Sequence, residues 1–425
     1  MVRSIIRNKN VKNGIWLYLL QVFNTIIPLL TIPYITRVLG RGEYGTFSIA
    51  LNVMGYLQVL VEYGFGMSAT REVAISKKDN ERVSKVFTGV LLSRFILLIL
   101  AVGISACYLI VTGANGKLRA CMIIMIICLV GYCIQQNWLF QGMQEMKYIS
   151  IVSIVSRTIS TALIFLLVKT DRDLILYSLL YTISPFLSGV IGLTIAVFRY
   201  KVYLMKANFA MVKQNLKSGW YVFTTQLSSK VFGAIGITFL GIYSTNVEVG
   251  TFSAIQKIPN VMMLAWAPIS QVMYPIVSQK MTISFSEGEA FVSKMRKIFL
   301  GLFSLGALLI AVFSKHVVRI AFGDAYALKY YWIIPLLLWT VLSIANNFMG
   351  IQTLLSSNHD KEYSICFQTS VVFTIIINLL FVYFWGGDGA AIAPVLSEMV
   401  LSVTLIYQIH KIRHAHKEKK GIINE

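Results

Sequence analysis

The chain consists of long apolar runs separated by short polar connections. A run of about 20 apolar residues has the length that an α-helix needs to cross a bilayer. Twelve such runs lie near residues 14–36, 44–66, 86–111, 119–142, 149–169, 174–198, 218–242, 249–278, 296–314, 330–354, 364–385 and 389–410. The pattern predicts an all-α integral membrane protein with about twelve transmembrane helices. The first run is too long for a signal peptide, so it is predicted to be the first membrane helix.

The sequence also repeats itself. The segment Glu43–Ser48 (EYGTFS) recurs as Glu248–Ser253 (EVGTFS), and the same offset places Gln21 on Gln226. Repeated halves in an apolar chain are typical of transporters. We therefore predict an N-terminal six-helix lobe at 1–210, a C-terminal six-helix lobe at 211–410 and a basic tail at 411–425.

Composition and charge support the membrane interpretation. Hydrophobic residues make up 56% of the chain and charged residues 13%, with a mean hydropathy of +0.70, whereas soluble domains carry about 25% charged residues. Most of the 38 lysines and arginines fall on one side of the predicted helices. The positive-inside rule then places both termini in the cytoplasm. The net charge of +20 is thus a topology signal, and no nucleic-acid partner is expected.

Motifs for catalysis are not found in the sequence. There is no phosphate-binding glycine loop followed by Lys-Ser/Thr, and no set of Ser, His and Asp suggests itself. The five cysteines lie in apolar stretches without metal-ligand spacing. His410 and His414 share a helix face, but a basic tail is a poor metal site. We expect no enzyme activity, no cofactor and no metal.

Ionisable residues inside the apolar runs are the strongest candidates for function. An ionisable group near mid-bilayer costs about 3 kcal/mol on insertion scales, so it usually faces a cavity or the interior of the bundle. The basic members outnumber the acidic ones, and this excess favours an anionic substrate. Arg94 and Arg157 could instead extend to the inner surface. The set comprises Lys230, Lys257, Arg94, Arg157, Glu62 and Glu398.

Several short segments resemble the bacterial lipid-linked oligosaccharide flippases of the Wzx type. This O-antigen repeat-unit flippase family is the polysaccharide transporter branch of the multidrug/oligosaccharidyl-lipid/polysaccharide superfamily. The resemblance covers the whole chain and is strongest in its N-terminal half. The segments that carry it are Pro28–Tyr34, Arg37–Gly40, Val61–Phe65, Trp138–Gly142 and Tyr274–Pro275.

The resemblance implies a fold and a function. Members have two six-helix lobes around a central cavity, the architecture of the multidrug extruders, and move an undecaprenyl-diphosphate-linked sugar unit across the bacterial cytoplasmic membrane for O-antigen, capsule or related polysaccharides. The polymerase and chain-length proteins of the same pathway are expected partners. Glu62 and Glu398 are candidates for coupling or gating. The expected substrate-binding residues are Lys230, Lys257, Arg94, Arg157, Arg37, Gln21, Asn24 and Gln226.

Three alternatives remain open from the sequence. A multidrug or cation antiporter of the same superfamily is the nearest, but it would need acidic cavity groups. A membrane glycan polymerase or ligase would need a large external loop, and the longest connection here runs only over about 315–329. A structural membrane protein would not need lysines near the centre of the bilayer.

Overall fold

The computed structural model describes residues 9–114, 116–206 and 208–423, and the side chains of 12–114, 116–206 and 208–414. Within these ranges every regular element is helical. The predicted basic tail at 411–425 lies mostly outside the described side chains, as do the basic residues that precede residue 12.

The helices follow one another with short connections. Three-residue 3-10 turns lie at Asp171–Asp173, Tyr330–Trp332 and Leu355–Ser357, and a π-helical segment lies at Gly350–Leu354. The α-helices are α1 (Lys9–Glu62), α2 (Phe65–Ser76), α3 (Asn80–Val111), α4 (Gly116–Ile134), α5 (Asn137–Gly142), α6 (Met146–Leu167), α7 (Leu174–Tyr200), α8 (Phe209–Tyr243), α9 (Asn246–Ile255), α10 (Lys257–Ile283), α11 (Phe285–Val312), α12 (Ser314–Phe322), α13 (Asp324–Ala327), α14 (Ile333–Met349) and α15 (Asp360–Ile423).

The predicted all-α membrane fold is confirmed. Among the described residues, nine helical spans are long and apolar enough to cross a membrane. Two of them, Lys12–Ser76 and Asp360–His414, each contain two of the apolar runs found in the sequence. The count of twelve transmembrane helices and the cytoplasmic position of the termini stay predictions.

Glycines divide the two longest helices. Gly40 interrupts α1 with φ 71° and ψ 174°, and Gly386 interrupts α15 with φ 54° and ψ −127°. Side chains rarely adopt a positive φ because Cβ meets the following carbonyl, so glycine is the residue that permits such a break. Each long helix is therefore two helical segments that meet at a glycine.

The two copies of Gly-Thr-Phe-Ser occupy similar positions in their helices. The first copy begins five residues after the break at Gly40. The second lies in α9, where the Thr245 hydroxyl caps the helix by accepting a hydrogen bond from the Glu248 amide at 3.3 Å. In both places the sequence starts a helix next to a backbone break, which agrees with an internal repeat.

The chain forms two compact units. Unit 1 is Met1–Val231 and unit 2 is Phe232–Glu425, so the boundary falls inside α8. Aromatic side chains fill both cores, with Phe87 and Trp138 in unit 1. In unit 2, Trp266 packs edge-on against Phe303 with ring centroids 5.8 Å apart. The predicted lobe boundary between residues 210 and 211 stays a prediction about the membrane halves.

The outer faces of the helices are strongly apolar. On α11, Leu302, Leu305, Leu309 and Val312 form one stripe at helical spacing, and each has more than half of its surface exposed. Such a continuous apolar surface is unfavourable in water. In a bilayer it faces lipid chains, while the helical backbone satisfies its own hydrogen bonds.

Two membrane segments of unit 2 depart from regular α-helix. The apolar run at 249–278 is divided at Gln256, where α9 ends and α10 begins, three residues ahead of Pro259. Pro259, Pro268 and Pro275 lie in this run, and the change of helix falls near its start. The run at 330–354 ends in the π-helical segment, where the Thr353 hydroxyl donates to the Phe348 carbonyl at 2.9 Å.

Candidate substrate-binding residues

Lys230 lies against a gap left by a glycine. A Cβ added to Gly55 would lie 2.5 Å from Lys230 Nζ and 2.7 Å from its Cε, so the lysine occupies the space that a side chain would fill. The Nζ atom also lies 5.8 Å from the centroid of the Tyr56 ring. A cation over an aromatic face is stabilised by the ring quadrupole, more so away from water. The lysine is half-buried.

Close packing continues along the same face of α8. The Tyr63 ring stacks on Phe223 with centroids 4.5 Å apart and planes 12° from parallel. A Cβ on Gly64 would lie 2.6 Å from Val222 Cβ. The spacing of Val222, Gln226 and Lys230 places them on one helix face. Gln226, predicted from the repeat, is thus on the face that packs within unit 1.

A polar cluster, Asn24 with Arg157, joins α1 to α6. Arg157 Nη1 donates to Asn24 Oδ1 at 2.6 Å, and both side chains are half-buried. The hydroxyls of Tyr132 and Tyr181 lie within electrostatic range of the Arg157 guanidinium. Gln21 lies one turn before Asn24 on α1 and is also half-buried. Two residues predicted to bind substrate are therefore in direct contact.

Arg94 has a different environment. It is 5% exposed, and its Nη1 donates to the carbonyls of Gln135 at 2.6 Å and Tyr132 at 3.3 Å. These carbonyls lie where α4 ends, and the terminal carbonyls of a helix need partners from outside it. Glu62 acts on Arg94 electrostatically, although the two form no ion pair. The contacts of Arg94 hold α3 to the end of α4.

Glu62 is the last residue of α1 and lies four residues before the end of the second apolar run at 44–66. Its Oε1 accepts a hydrogen bond from Gln58 Nε2 at 3.1 Å. The chain then passes through Tyr63 with φ 45° and Gly64 with φ 75° before α2 begins. A half-buried carboxylate at a strained break has the position expected of a gating residue, and that role stays a prediction.

Glu398 is the centre of a polar network in unit 2. It is 2% exposed, and its Oε2 accepts a hydrogen bond from Asn346 Nδ2 at 2.5 Å. The polar side chains of Ser343 and Trp339 also lie close to the carboxylate. Ser402 bonds to Asn346 Oδ1 at 2.7 Å. No basic side chain among the described residues forms an ion pair with Glu398, so neutral donors alone surround the carboxyl group.

A second network lies next to the π-helical segment. Gln352 Nε2 donates to the Ser270 carbonyl at 2.9 Å, and the Ser270 hydroxyl donates to Asn347 Oδ1 at 2.8 Å. Gln352 is fully buried, and its Oε1 has no partner among the described atoms. Asn346, Asn347 and Gln352 were not predicted from the sequence as functional residues. The pattern that could have indicated them is the presence of three amide side chains within one apolar run.

Two predicted residues occupy the ends of helical segments. Arg37 is exposed and lies three residues before the break at Gly40. Lys257 is half-buried and is the first residue of α10, after the break at Gln256. Arg37 thus precedes the break before the first copy of the repeat, whereas Lys257 follows the second copy, which ends at Ser253.

At the start of the apolar span Tyr330–Ser357, a polar and aromatic cluster of unit 2 is formed by Lys329, Tyr331, Trp332 and Asp388. Trp332 Nε1 donates to Asp388 Oδ1 at 2.6 Å, and Lys329 lies 3.9 Å from Oδ2 of the same carboxylate. The hydrogen bond with Tyr331 raises the pKa of Lys329 above its ordinary value, and the charge of Asp388 acts in the same direction. The contacts join the connection before α14 to α15.

Taken together, unit 1 holds three helical cations that no ion pair compensates. Arg94 and Arg157 lie in two of the nine apolar spans, whereas α8, which carries Lys230, is not among those spans, so a membrane position for Lys230 stays a prediction. Lys230, Arg157 and Arg94 form no ion pair with any described residue. Their partners are an aromatic ring, an amide oxygen and backbone carbonyls. Unpaired positive charges attract anions and repel cations. No cluster of metal-ligating side chains is found among the described residues.

The fold and these residues define a multi-pass membrane protein with transporter architecture. A family model described as "Polysaccharide biosynthesis protein" matches residues 10–281. The chain belongs to this family. This result confirms the resemblance to the lipid-linked oligosaccharide flippases that the sequence motifs indicated.

Curated relatives match over nearly the whole chain. A protein of Escherichia coli (strain K12) named "Putative O-antigen transporter" is 26% identical over 397 residues, which cover 93% of this chain and 96% of that protein. A protein of Haloferax volcanii named "Probable low-salt glycan biosynthesis flippase Agl15" is 20% identical over 413 residues, covering 95% and 82%. Both names describe transport of a glycan.

Solved structures share the fold. An inward-facing multidrug transporter of the MATE family and MOP superfamily aligns with a TM-score of 0.71 at 15% identity, covering 92% of this chain and 99% of that one. The lipid II flippase MurJ, in an inward closed conformation, also has a TM-score of 0.71, at 14% identity, covering 94% and 87%. The expected MATE-like architecture is thereby confirmed.

Proposed function

We propose that this protein moves undecaprenyl-diphosphate-linked oligosaccharide units from the inner to the outer leaflet of the bacterial cytoplasmic membrane, by alternating access. The names of the relatives support a lipid-linked glycan as the substrate class. The units would enter O-antigen, capsule or another surface polysaccharide. No covalent step is needed, and proteins that polymerise the exported units are the expected pathway partners.

The observation that carries the proposal is the set of cations without carboxylate partners in unit 1. Moving a diphosphate through hydrocarbon is prohibitive unless a polar path replaces its hydration. Lys230 supplies a compact point charge, and Arg157 a planar fork of donors for phosphate or acidic sugar oxygens. A cationic drug would meet repulsion at the same groups, which disfavours the multidrug antiporter.

The sugar portion needs hydrogen-bonding groups beside the cations. Asn24 and Gln21 offer amides, and Tyr132 and Tyr181 offer hydroxyls near Arg157. The exposed apolar faces of the helices leave the polyprenyl chain free to stay in the bilayer. Lys257 and Arg37, beside the helix breaks, are proposed to meet the diphosphate at other stages of transport. Glu62 and Glu398 are proposed to couple or gate the cycle.

The test is deletion of the gene in its native host, with analysis of surface polysaccharide and of undecaprenyl-linked intermediates. Loss of surface glycan with accumulation of lipid-linked units facing the cytoplasm is the expected result. Complementation with Lys230→Gln should fail in part or fully, whereas the matched control Lys217→Gln should succeed. Lys217 lies on the same helix, but it is exposed.

Three outcomes would each contradict a part of the proposal. Normal surface glycan together with altered drug sensitivity would favour the multidrug antiporter. Equal complementation by Lys230→Gln and by the wild type, at equal membrane levels, would remove Lys230 from the transport path. If neutralising both Glu62 and Glu398 leaves glycan transport unchanged, the two residues do not couple or gate the cycle.

A further inference from the structure

Unit 2 contains a cavity of about 210 Å³ that no transport role assigned above uses. It lies between α11, the end of α14 with the π-helical segment, and α15. Its apolar wall includes Val292, Met349 and Ile409, whereas charged side chains line its rim. The cavity is thus amphipathic, with hydrocarbon on one side and charge on the other.

The rim carries an excess positive charge. Glu289 Oε1 lies 2.5 Å from Arg413 Nη2 and accepts a hydrogen bond from its Nε, so these two charges neutralise each other. Arg296 is half-buried and forms no hydrogen bond or ion pair with any described residue. A guanidinium held beside apolar groups without a partner is unfavourable. An anion in the cavity would remove that cost.

The position of the cavity along the membrane normal indicates the source of the anion. Arg296 begins the apolar run at 296–314, and His410 ends the run at 389–410. Both residues therefore lie at the boundary between hydrocarbon and headgroups. The distribution of lysine and arginine predicts that this boundary is the inner one. Basic pockets between membrane helices on that side suit phosphate headgroups of lipids.

We propose that this cavity binds one anionic phospholipid of the inner leaflet. The phosphate accepts hydrogen bonds from Arg296, and the first part of an acyl chain covers Met349 and Ile406. The lipid thereby bridges α11 and α15 and stabilises unit 2. The inference requires that the protein spans the membrane with the predicted orientation, and it stands independently of the function proposed above.

The experiment measures binding of phosphatidylglycerol and phosphatidylcholine to the purified full-length protein by native mass spectrometry, together with the melting temperature. The wild type should retain phosphatidylglycerol in preference to phosphatidylcholine and gain thermal stability from it. Arg296→Gln should bind phosphatidylglycerol about tenfold more weakly, the loss expected for one charge-assisted hydrogen bond. Lys294→Gln, an exposed charge on the same helix, should behave as wild type.

A second variant tests the cavity without changing charge. Ser293→Leu places an apolar side chain in the cavity lining and should also weaken phosphatidylglycerol binding, because it takes up the space of the lipid. If Arg296→Gln does not fold, phosphatidylglycerol binding by Ser293→Leu still tests the proposal. Unchanged binding in the folded variants would overturn the proposal, as would an equal loss in Lys294→Gln.

Competition by inorganic phosphate and by undecaprenyl diphosphate distinguishes a phospholipid from other ligands that carry phosphate. Inorganic phosphate at millimolar concentration should not displace the lipid, because it cannot cover the apolar wall. Displacement by inorganic phosphate would reduce the cavity to a simple anion site and overturn the proposal. Stronger binding of undecaprenyl diphosphate, combined with loss of glycan transport in Arg296→Gln, would assign the cavity to the substrate path and also overturn it.

Discussion

At the scale of the residue, Lys230 and Gly55 form a closely packed pair. Gly55 leaves room for the ammonium group, and Tyr56 presents a ring face to it. The lysine itself could be predicted from the sequence, since a charge inside an apolar run is conspicuous. The glycine could not, because only the packing of α8 against α1 shows that this small residue opposes Lys230.

Gly55→Ala is expected to reduce glycan transport while the protein still folds. The added methyl would lie 2.5 Å from Lys230 Nζ, and the flexible end of the lysine can move aside at little cost to stability. Surface glycan in the deletion strain measures the effect. The control is Gly103→Ala, where an added Cβ meets nothing within 4 Å.

The double variant separates two explanations for Gly55. If Gly55→Ala acts by displacing the lysine, Gly55→Ala with Lys230→Gln should transport as poorly as Lys230→Gln alone. Additive losses would show that the glycine matters for another reason.

Arg157 and Asn24 should be energetically coupled in the same way. Their hydrogen bond is charge-assisted and half-buried, so removing either side chain should lose most of the benefit of the other. Arg157→Gln and Asn24→Ala are each expected to lower the transport rate about tenfold, and the double variant little further. Rates are measured on reconstituted protein with a lipid-linked oligosaccharide. Full additivity would contradict the coupling.

At the scale of the element, the sequence predicts where the helices lie but does not predict where they are interrupted. The apolar runs predicted helices because length and hydropathy suffice to identify a membrane span. The π-helical segment at Gly350–Leu354 was not predicted, since it depends on the hydrogen bonds of Thr353 to Phe348 and of Gln352 to Ser270 on α10. The same holds for the change of helix at Gln256, which shifts Lys257 from the interior of a helix to its start.

The break at Gly386 allows a close approach that only glycine permits. A Cβ on Gly389 would overlap the carbonyl oxygen of Phe381, and backbone atoms cannot move aside as a flexible side chain can. Gly389→Ala should therefore destabilise the protein by more than about 2 kcal/mol. The amount of monodisperse protein after detergent extraction and its melting temperature measure the loss. Gly301→Ala, in open space on α11, should match the wild type; an equal yield from both variants would contradict the prediction.

At the scale of the whole molecule, the distribution of basic residues predicts the orientation. Both termini should be cytoplasmic, and the connection around Asp324 should face outward. A green fluorescent protein fused after residue 425 should fluoresce, and alkaline phosphatase fused at residue 324 should be active. The reverse pattern would overturn the orientation and would move the proposed phospholipid site to the outer leaflet.

The division into two units shows what a repeat in sequence can and cannot predict. The repeated Gly-Thr-Phe-Ser predicted two related halves, and the structure has two compact units. The position of the packing boundary could not be predicted, because it depends on which partners α8 contacts. Tyr63, Gly64 and Gly55 bind the first part of α8 into unit 1.

This placement of α8 determines where the chain could be expressed as two separate polypeptides. A cut in the connection before Phe209 would follow the repeat, but it would leave unit 1 without the helix that covers Tyr63 and Gly64. A cut after Tyr243 keeps the first part of α8 with its partners in unit 1, but it separates Phe232 and Tyr243 from Phe367 and Tyr383 of unit 2. A cut at either end of α8 therefore removes part of this helix from the unit in which it packs.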